Sequence, residues 1–214
     1  KDRLEKFFKI KSMSVFDNFT DGEIGSMAAL LSYLEITQCT QNIPLTPPIK
    51  ETNNLFMKLD AASRQSLEIN KTLDGQIKGS LFGSINQTLT SGGSRLLQDR
   101  LNCPLTKIEE IKNRQNVVSY FKDNQEIMNK CRDILRQTPD MQRSLSRICL
   151  QRGTPKDLGT IRNCLRSIKL IQTTIDIKVS SPYLYHLLER FNGFETLLNT
   201  LNSSLVENPP TSHK

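Results

Sequence analysis

The chain has no tryptophan, two histidines (His186 and His213) and five cysteines in 214 residues. Each scarcity excludes some chemistry. Imidazole is the commonest carrier of protons in acid-base catalysis, and neither histidine has a partner in the sequence. His186 lies beside Tyr183 and Tyr185 at a helix start and reads as a surface or packing residue; His213 lies in the tail. Cys39, Cys103, Cys131, Cys149 and Cys164 are odd in number, widely spread and never paired as C-x-x-C. That pattern disfavours a disulfide framework and a zinc site, and it fits small apolar fillers in a reducing compartment. No apolar run reaches the roughly 18 residues that a membrane span needs, so no membrane partner is expected. A phosphate-cradling G-x-x-x-x-G-K-S/T loop is also missing. Gly79, Gly83, Gly92 and Gly93 read as breaks between helices. Glu109 and Glu110 sit where a helix N-terminus favours acids. By itself the chain is expected to be no enzyme and to hold no metal or cofactor.

What is present is basic charge and helical periodicity. Hydrophobic residues make up 36% and charged residues 24%, which suits a soluble globular chain of one domain plus part of another. The net charge of +7 lies in the middle: residues 51–175 carry twenty basic and twelve acidic side chains, whereas both flanks are close to balance. The opening Lys1-Asp2-Arg3-Leu4-Glu5-Lys6 is no signal peptide and has no initiator Met, so a piece of a longer product is expected.

Three segments follow from the pattern. Residues 1–41 predict a short helix (Leu4, Phe7, Phe8), an extended link through Val15 and Phe16, and a helix after Asp21 whose apolar face (Ile24, Met27, Leu30, Leu31, Leu34) lacks cover. The prolines of 42–54 (Pro44, Pro47, Pro48) mark a linker. From residue 55 to 214 a brief extended stretch (Leu55, Met57, Leu59) precedes helices in long elements with short joints. Asp60 is the expected cap of the first; Ser94, Thr106 with Glu109, Asp140, and Thr154-Pro155 open later ones, Gly153 stops one, and a last helix spans Tyr183 to Leu205. Gly93 is expected at positive φ. The predicted fold class is all-α, a multi-helix bundle preceded by a partial α/β segment.

The basic stripe Arg143, Arg147, Arg152, Lys156, Arg162, Arg166 and Lys169 meets two acids, Asp140 and Asp157, and is the best nucleic-acid candidate. No aromatic residue accompanies it. The residues leave a second reading open: a solvated helix face with ion pairs such as Asp140 with Arg143, or Asp157 with a neighbouring arginine.

Ordered residues carry a more specific signal. Leu59, Asp60, Ala62, Ser63, Leu67, Glu68 and Ile69, then Ser80, Leu81, Ile85, Asn86, Thr88, Thr90, Gly93, Arg95, Leu97, Pro104 and Leu105 resemble the core, or lever, domain of the MutS family of DNA mismatch-recognition ATPases. Asp140-Met141-Gln142-Arg143 and Pro155-Lys156-Asp157-Leu158 continue the likeness. Residues 1–41 resemble the end of that family's connector domain, and Leu201 to Pro210 resemble the end of the core just before its clamp. The resemblance implies a structural role for Asp60, Arg64, Glu68, Thr90, Gly93, Arg95, Pro104, Asp140, Arg143, Arg147 and Asp157. It further implies a longer, homodimeric, cytoplasmic parent that couples mismatched-duplex binding to ATP and Mg chemistry and works with a MutL-type partner. The family's Phe-x-Glu mismatch wedge and its Walker A loop do not occur in this sequence. The competing reading is a free-standing basic helical module that binds nucleic acid or a protein.

Overall fold

The computed structural model describes residues 1–38, 45–50, 55–175 and 182–211. Most of the linker prolines' segment, Cys39 and His213 lie outside these. Two compact units emerge, one from Lys1–Asn53 with Ser146–Gly153 and one from Asn54–Leu145 with Thr154–Lys214.

In the first unit, α1 (Asp2–Phe8) and α2 (Asp21–Gln38) flank a 3-10 turn at Met13–Val15. That turn replaces the expected extended link at Val15 and Phe16, because the Ser12 hydroxyl accepts the Ser14 N–H and starts a tight turn. Thr20 and Glu23 open α2 reciprocally: the Thr20 N–H donates to the Glu23 carboxylate at 2.7 Å, and the Glu23 N–H to the Thr20 hydroxyl at 3.4 Å. The apolar face of α2 does have cover. Leu31 is buried against Leu4 and Met13, and Phe7, Phe8 and Phe16 pack on them. The rings meet edge to face at 5.0 and 5.4 Å. Leu30, expected on that face, is instead exposed with Tyr33 and Ile36 on the other side of the helix.

The second unit contains α3 (Ala61–Ser66), α4 (Leu81–Ile85), α5 (Ser91–Asn102), α6 (Ile108–Asp123), α7 (Gln125–Arg136), the start of α8 (Met141–Cys149), α9 (Pro155–Thr174), α10 (Pro182–Glu189) and α11 (Glu195–Ser204). Among the described residues the sheet pairing is a single antiparallel bridge between Phe56 and Leu105. It realises the short extended stretch: Met57 N–H donates to Pro104 carbonyl at 2.8 Å and Thr106 N–H to Leu55 carbonyl at 3.1 Å. The bundle is arranged around α9, which packs on both α7 and α11. Leu165 of α9 joins Leu198 and Leu201 of α11, flanked by Ile161 and Ile168. Beyond them, Ile171 and Ile175 meet Tyr120, Cys131, Leu184 and Leu188. One helix therefore feeds two apolar clusters, and each fully buried leucine contributes roughly 1.5–3 kcal/mol.

Several helix ends differ from the sequence expectation, each for a local reason. Thr90, rather than Ser94, caps α5, its hydroxyl accepting the Gly93 N–H at 3.0 Å. Thr106 and Glu109 form no capping box, since the N-cap of α6 is Lys107, one residue later. α8 closes at Gln151 rather than Gly153: Gln151 takes φ of 57°, and the Arg152 N–H reaches back to the Arg147 carbonyl at 2.8 Å. α4 stops at Ile85 because the Asn86 side chain accepts the Thr88 N–H at 3.1 Å and turns the chain. The expected last helix is two, α10 and α11, parted by a turn in which Gly193 has φ of 89°.

Gly93 does not have the expected positive φ; the glycines that do are Gly75, Gly79 and Gly193. What Gly93 supplies is closeness, because a Cβ there would stand 3.0 Å from the Thr90 hydroxyl oxygen. The constraint is harsher at Gly83, where a Cβ would lie 2.1 Å from the Ile77 carbonyl oxygen. Fully buried Ser80 holds that turn, accepting the Gly83 N–H at 3.1 Å. Gly83→Ala is therefore expected to destabilise by more than the ~1 kcal/mol typical of point changes, measured as a urea midpoint. Gly92→Ala, whose new Cβ would meet only an Arg95 side-chain nitrogen at 4.0 Å, should be neutral or stabilising.

Candidate functional site

The seven basic residues of the stripe occupy unlike settings. Arg147 and Arg152 belong to the first unit and the other five to the second. Arg143 is exposed at the start of α8, as are Lys156 in the first turn of α9 and Lys169 further along it. Arg162 is 1% exposed. Its guanidinium donates to the carbonyls of Leu205 at 3.3 Å, Val206 at 2.9 Å and Glu207 at 2.6 Å, and to the side chain of Asn163 at 3.3 Å. Such a group is turned away from any phosphate, which corrects its place in the stripe. Arg166, one turn on, is half-buried and engaged: two of its nitrogens donate to the Asn202 side-chain oxygen at 3.0 and 2.7 Å, and a third to the Glu207 carboxylate at 2.9 Å. Arg143, Lys156 and Lys169 keep exposed cationic side chains in this unit.

The residues singled out by the resemblance act chiefly on the backbone. Asp60 caps α3 by accepting the Ser63 N–H at 2.6 Å. Arg64 lies exposed in the last turn of the same helix. Glu68 takes φ of 48°, and its carboxylate accepts the Leu73 N–H at 2.7 Å. Its carbonyl accepts the Leu81 N–H at 3.0 Å, so one residue ties both ends of the 70–80 loop. Thr90 and Gly93 form the α5 cap, and Pro104 supplies the bridge carbonyl. Asp157, 1% exposed, accepts the Thr154 N–H at 3.0 Å and hydroxyl at 2.9 Å.

Arg95 and Asp140 come together although 45 residues separate them. The guanidinium grips the carboxylate at both ends, 3.2 and 3.0 Å, and the Arg143 N–H adds a longer bond at 3.4 Å. Asp140 thus pairs with the side chain of Arg95 and takes only the backbone of Arg143. The partner was hidden in sequence because it lies three helices away.

The thiols divide by burial. Cys131 and Cys164 are buried, Cys103 and Cys149 exposed. Burial pushes the Cys164 thiol up to about 11, and its sulfur lies 3.2 Å from the Pro139 carbonyl. His186 is exposed and pairs with Glu189 at 3.3 Å. Among the described residues no three His, Cys, Asp or Glu side chains converge as metal ligands, and no helix is long and apolar enough to cross a membrane.

A family model described as MutS domain III matches residues 62–214. The chain belongs to the MutS family. The DNA mismatch repair protein MutS of Ruegeria pomeroyi is 37% identical over 208 residues, 97% of this chain and 24% of that protein. Its counterparts in Roseobacter denitrificans and Cereibacter sphaeroides are 35% and 36% identical with the same coverage. The chain spans about a quarter of the length of these MutS relatives. The MutS domain III match contains both the Arg95–Asp140 pair and the Arg162 cage.

The Arg95–Asp140 pair has a predictable pH dependence. The hydrogen bonds from Arg95 hold the Asp140 carboxyl below its usual range, against an opposing push from burial. A carboxylate depressed in the folded state stabilises it above the unfolded value, near 3.9, and the benefit fades as pH falls through the lower folded value. The stability gap between the unchanged protein and Asp140→Asn should therefore narrow between neutral pH and about pH 3, read by urea unfolding. A gap independent of pH would show that charge contributes nothing to the pair.

Proposed function

We propose that this chain is the structural and allosteric core of a MutS-type DNA mismatch-repair protein. The observation that carries the reading is the MutS domain III match over residues 62–214, joined to relatives that align along 97% of the chain. In this reading residues 1–41 end a connector domain, 42–54 link it onward, and 55–214 form the lever core, ending near a clamp domain. Mismatched duplex, ATP with Mg, a second copy of the protein and a MutL-type partner are engaged by the longer cytoplasmic protein as a whole. This segment transmits between the sites. Its own side chains supply rigidity rather than chemistry, since its polar groups are spent on caps, loop ties and helix-to-helix pairs.

A free-standing nucleic-acid module fits less well, because Arg162 and Arg166 of the basic stripe are occupied by the chain's own tail. The isolated chain should accordingly bind matched and mismatched duplex with equal, weak affinity that falls as salt rises, measured by fluorescence anisotropy. A clear preference for the mismatch would place the reading site within this segment and sink the scaffold account. The full reading frame is the second test. A Phe-x-Glu motif upstream and a Walker A motif downstream are expected, and a frame lacking both would return the basic module to the lead.

A further inference from the structure

The chain leaving α11 is strapped to one face of α9. Four residues of α9, at spacings of three, three and four, hold it in antiparallel order, and each uses a different force. The Lys156 N–H donates to the Pro210 carbonyl at 3.1 Å. Gly159, itself buried, lets the Pro209 ring lie so close that a Cβ would stand 2.9 Å from its Cγ. Arg162 satisfies three successive carbonyls, Leu205 to Glu207. Arg166 completes the run on the carboxylate of Glu207.

We infer that this strap, with Gly159 and Arg162 as its positioning residues, is the joint through which displacement of the chain following residue 210 is passed to α9 and so to the bundle. The inference rests on the lever reading given above and names the element that does the transmitting. An extended segment has no internal hydrogen bonds to keep it stiff, so it carries displacement only if its groups are tied to something rigid. Here the tie is a helix that shares apolar clusters with both α7 and α11. Neighbouring copies and ligands are not required for it; every contact is within the second unit.

The test uses the full-length protein with Gly159→Ala, which pushes Pro209 off by one methyl group, and Glu207→Gln, which removes an exposed charge from the strap. Arg162 itself stays, so the fold of α9 is not at risk. Amide hydrogen exchange at residues 205–211 should quicken by about tenfold or more in Gly159→Ala while α6 and α7 keep their protection. The extra ATP turnover that mismatched duplex elicits over matched duplex should fall by about fivefold, with DNA-free turnover unchanged. Glu207→Gln should shift both readouts the same way by less. Loosened exchange with an intact mismatch response would reduce the strap to a local staple and overturn the inference, as would exchange that does not change. If the unaltered protein shows no mismatch response at all, the mismatch-repair reading falls, and the joint falls with it.

Discussion

An arginine cannot give up its charge, so a fold that buries one must bring acceptors to it. Arg162 imposes that condition on the second unit. The acceptors it finds are the carbonyls of Leu205, Val206 and Glu207, just past the end of α11, where no helical N–H remains to take them. Alone, the guanidinium would be a costly unpaired charge in the interior; the carbonyls give it acceptors. Together they fix where α11 ends relative to α9. Ile161, Leu165 and Ile168 of α9 then meet Leu198 and Leu201 in register. The exposed carboxylate of Glu207 adds a partner for Arg166 at 2.9 Å and lies 3.9 Å from Arg162, so the charge is balanced at the rim rather than in the core.

The same logic recurs at smaller scale wherever a loop must be held still. Glu68 ties the 70–80 loop at both ends, Ser80 closes it from inside, and the Phe56–Leu105 bridge closes the entry to α3 against the exit of α5. Arg95, in the second turn of α5, holds Asp140, the residue just before α8. These are local bonds, individually modest, yet each removes a freedom that helix packing leaves untouched. A bundle built only from apolar stripes would tolerate sliding of one helix along another; ties between sequence-distant helix ends do not.

How much of this was legible in the sequence follows from the range of each interaction. Period and capping chemistry located α1, α2, α6, α7 and α9, and Asp60 and Thr154 were readable as caps because donor and acceptor lie within one turn. The errors at Ser94, Thr106 and Gly153 are choices between neighbours of similar propensity, decided by which side chain the tertiary structure leaves free to turn. Gly93 misled because glycine has two uses, positive φ and close approach, and only coordinates separate them. The basic stripe misled for a deeper reason. Arg162 and Lys169 look alike in a charge count, but one is 1% exposed and the other lies on the surface, and the difference depends on a tail more than forty residues later. The ordered motif, by contrast, marked the ties themselves: Asp60, Glu68, Thr90, Pro104 and the Arg95–Asp140 pair all hold backbone or helix ends.

That distribution bears on what such a segment of the MutS family can do. A helix of twenty residues such as α9 spans about 30 Å, long enough to connect sites that never touch. Length alone does not transmit, because a helix free to rotate or slide in its groove absorbs any push applied at its end. α9 is fixed at its N-terminus by the Thr154–Asp157 box, along its middle by the tail on one side, and at its C-terminal end by Ile171 and Ile175 in the cluster shared with Tyr120, Leu184 and Leu188. Held at three places by three kinds of force, it has few low-energy ways to move except together with what it is tied to. Two-state rearrangement of packed elements needs such rigid bodies before it needs hinges. The buried arginine supplies that rigidity where the segment after α11 lies along α9.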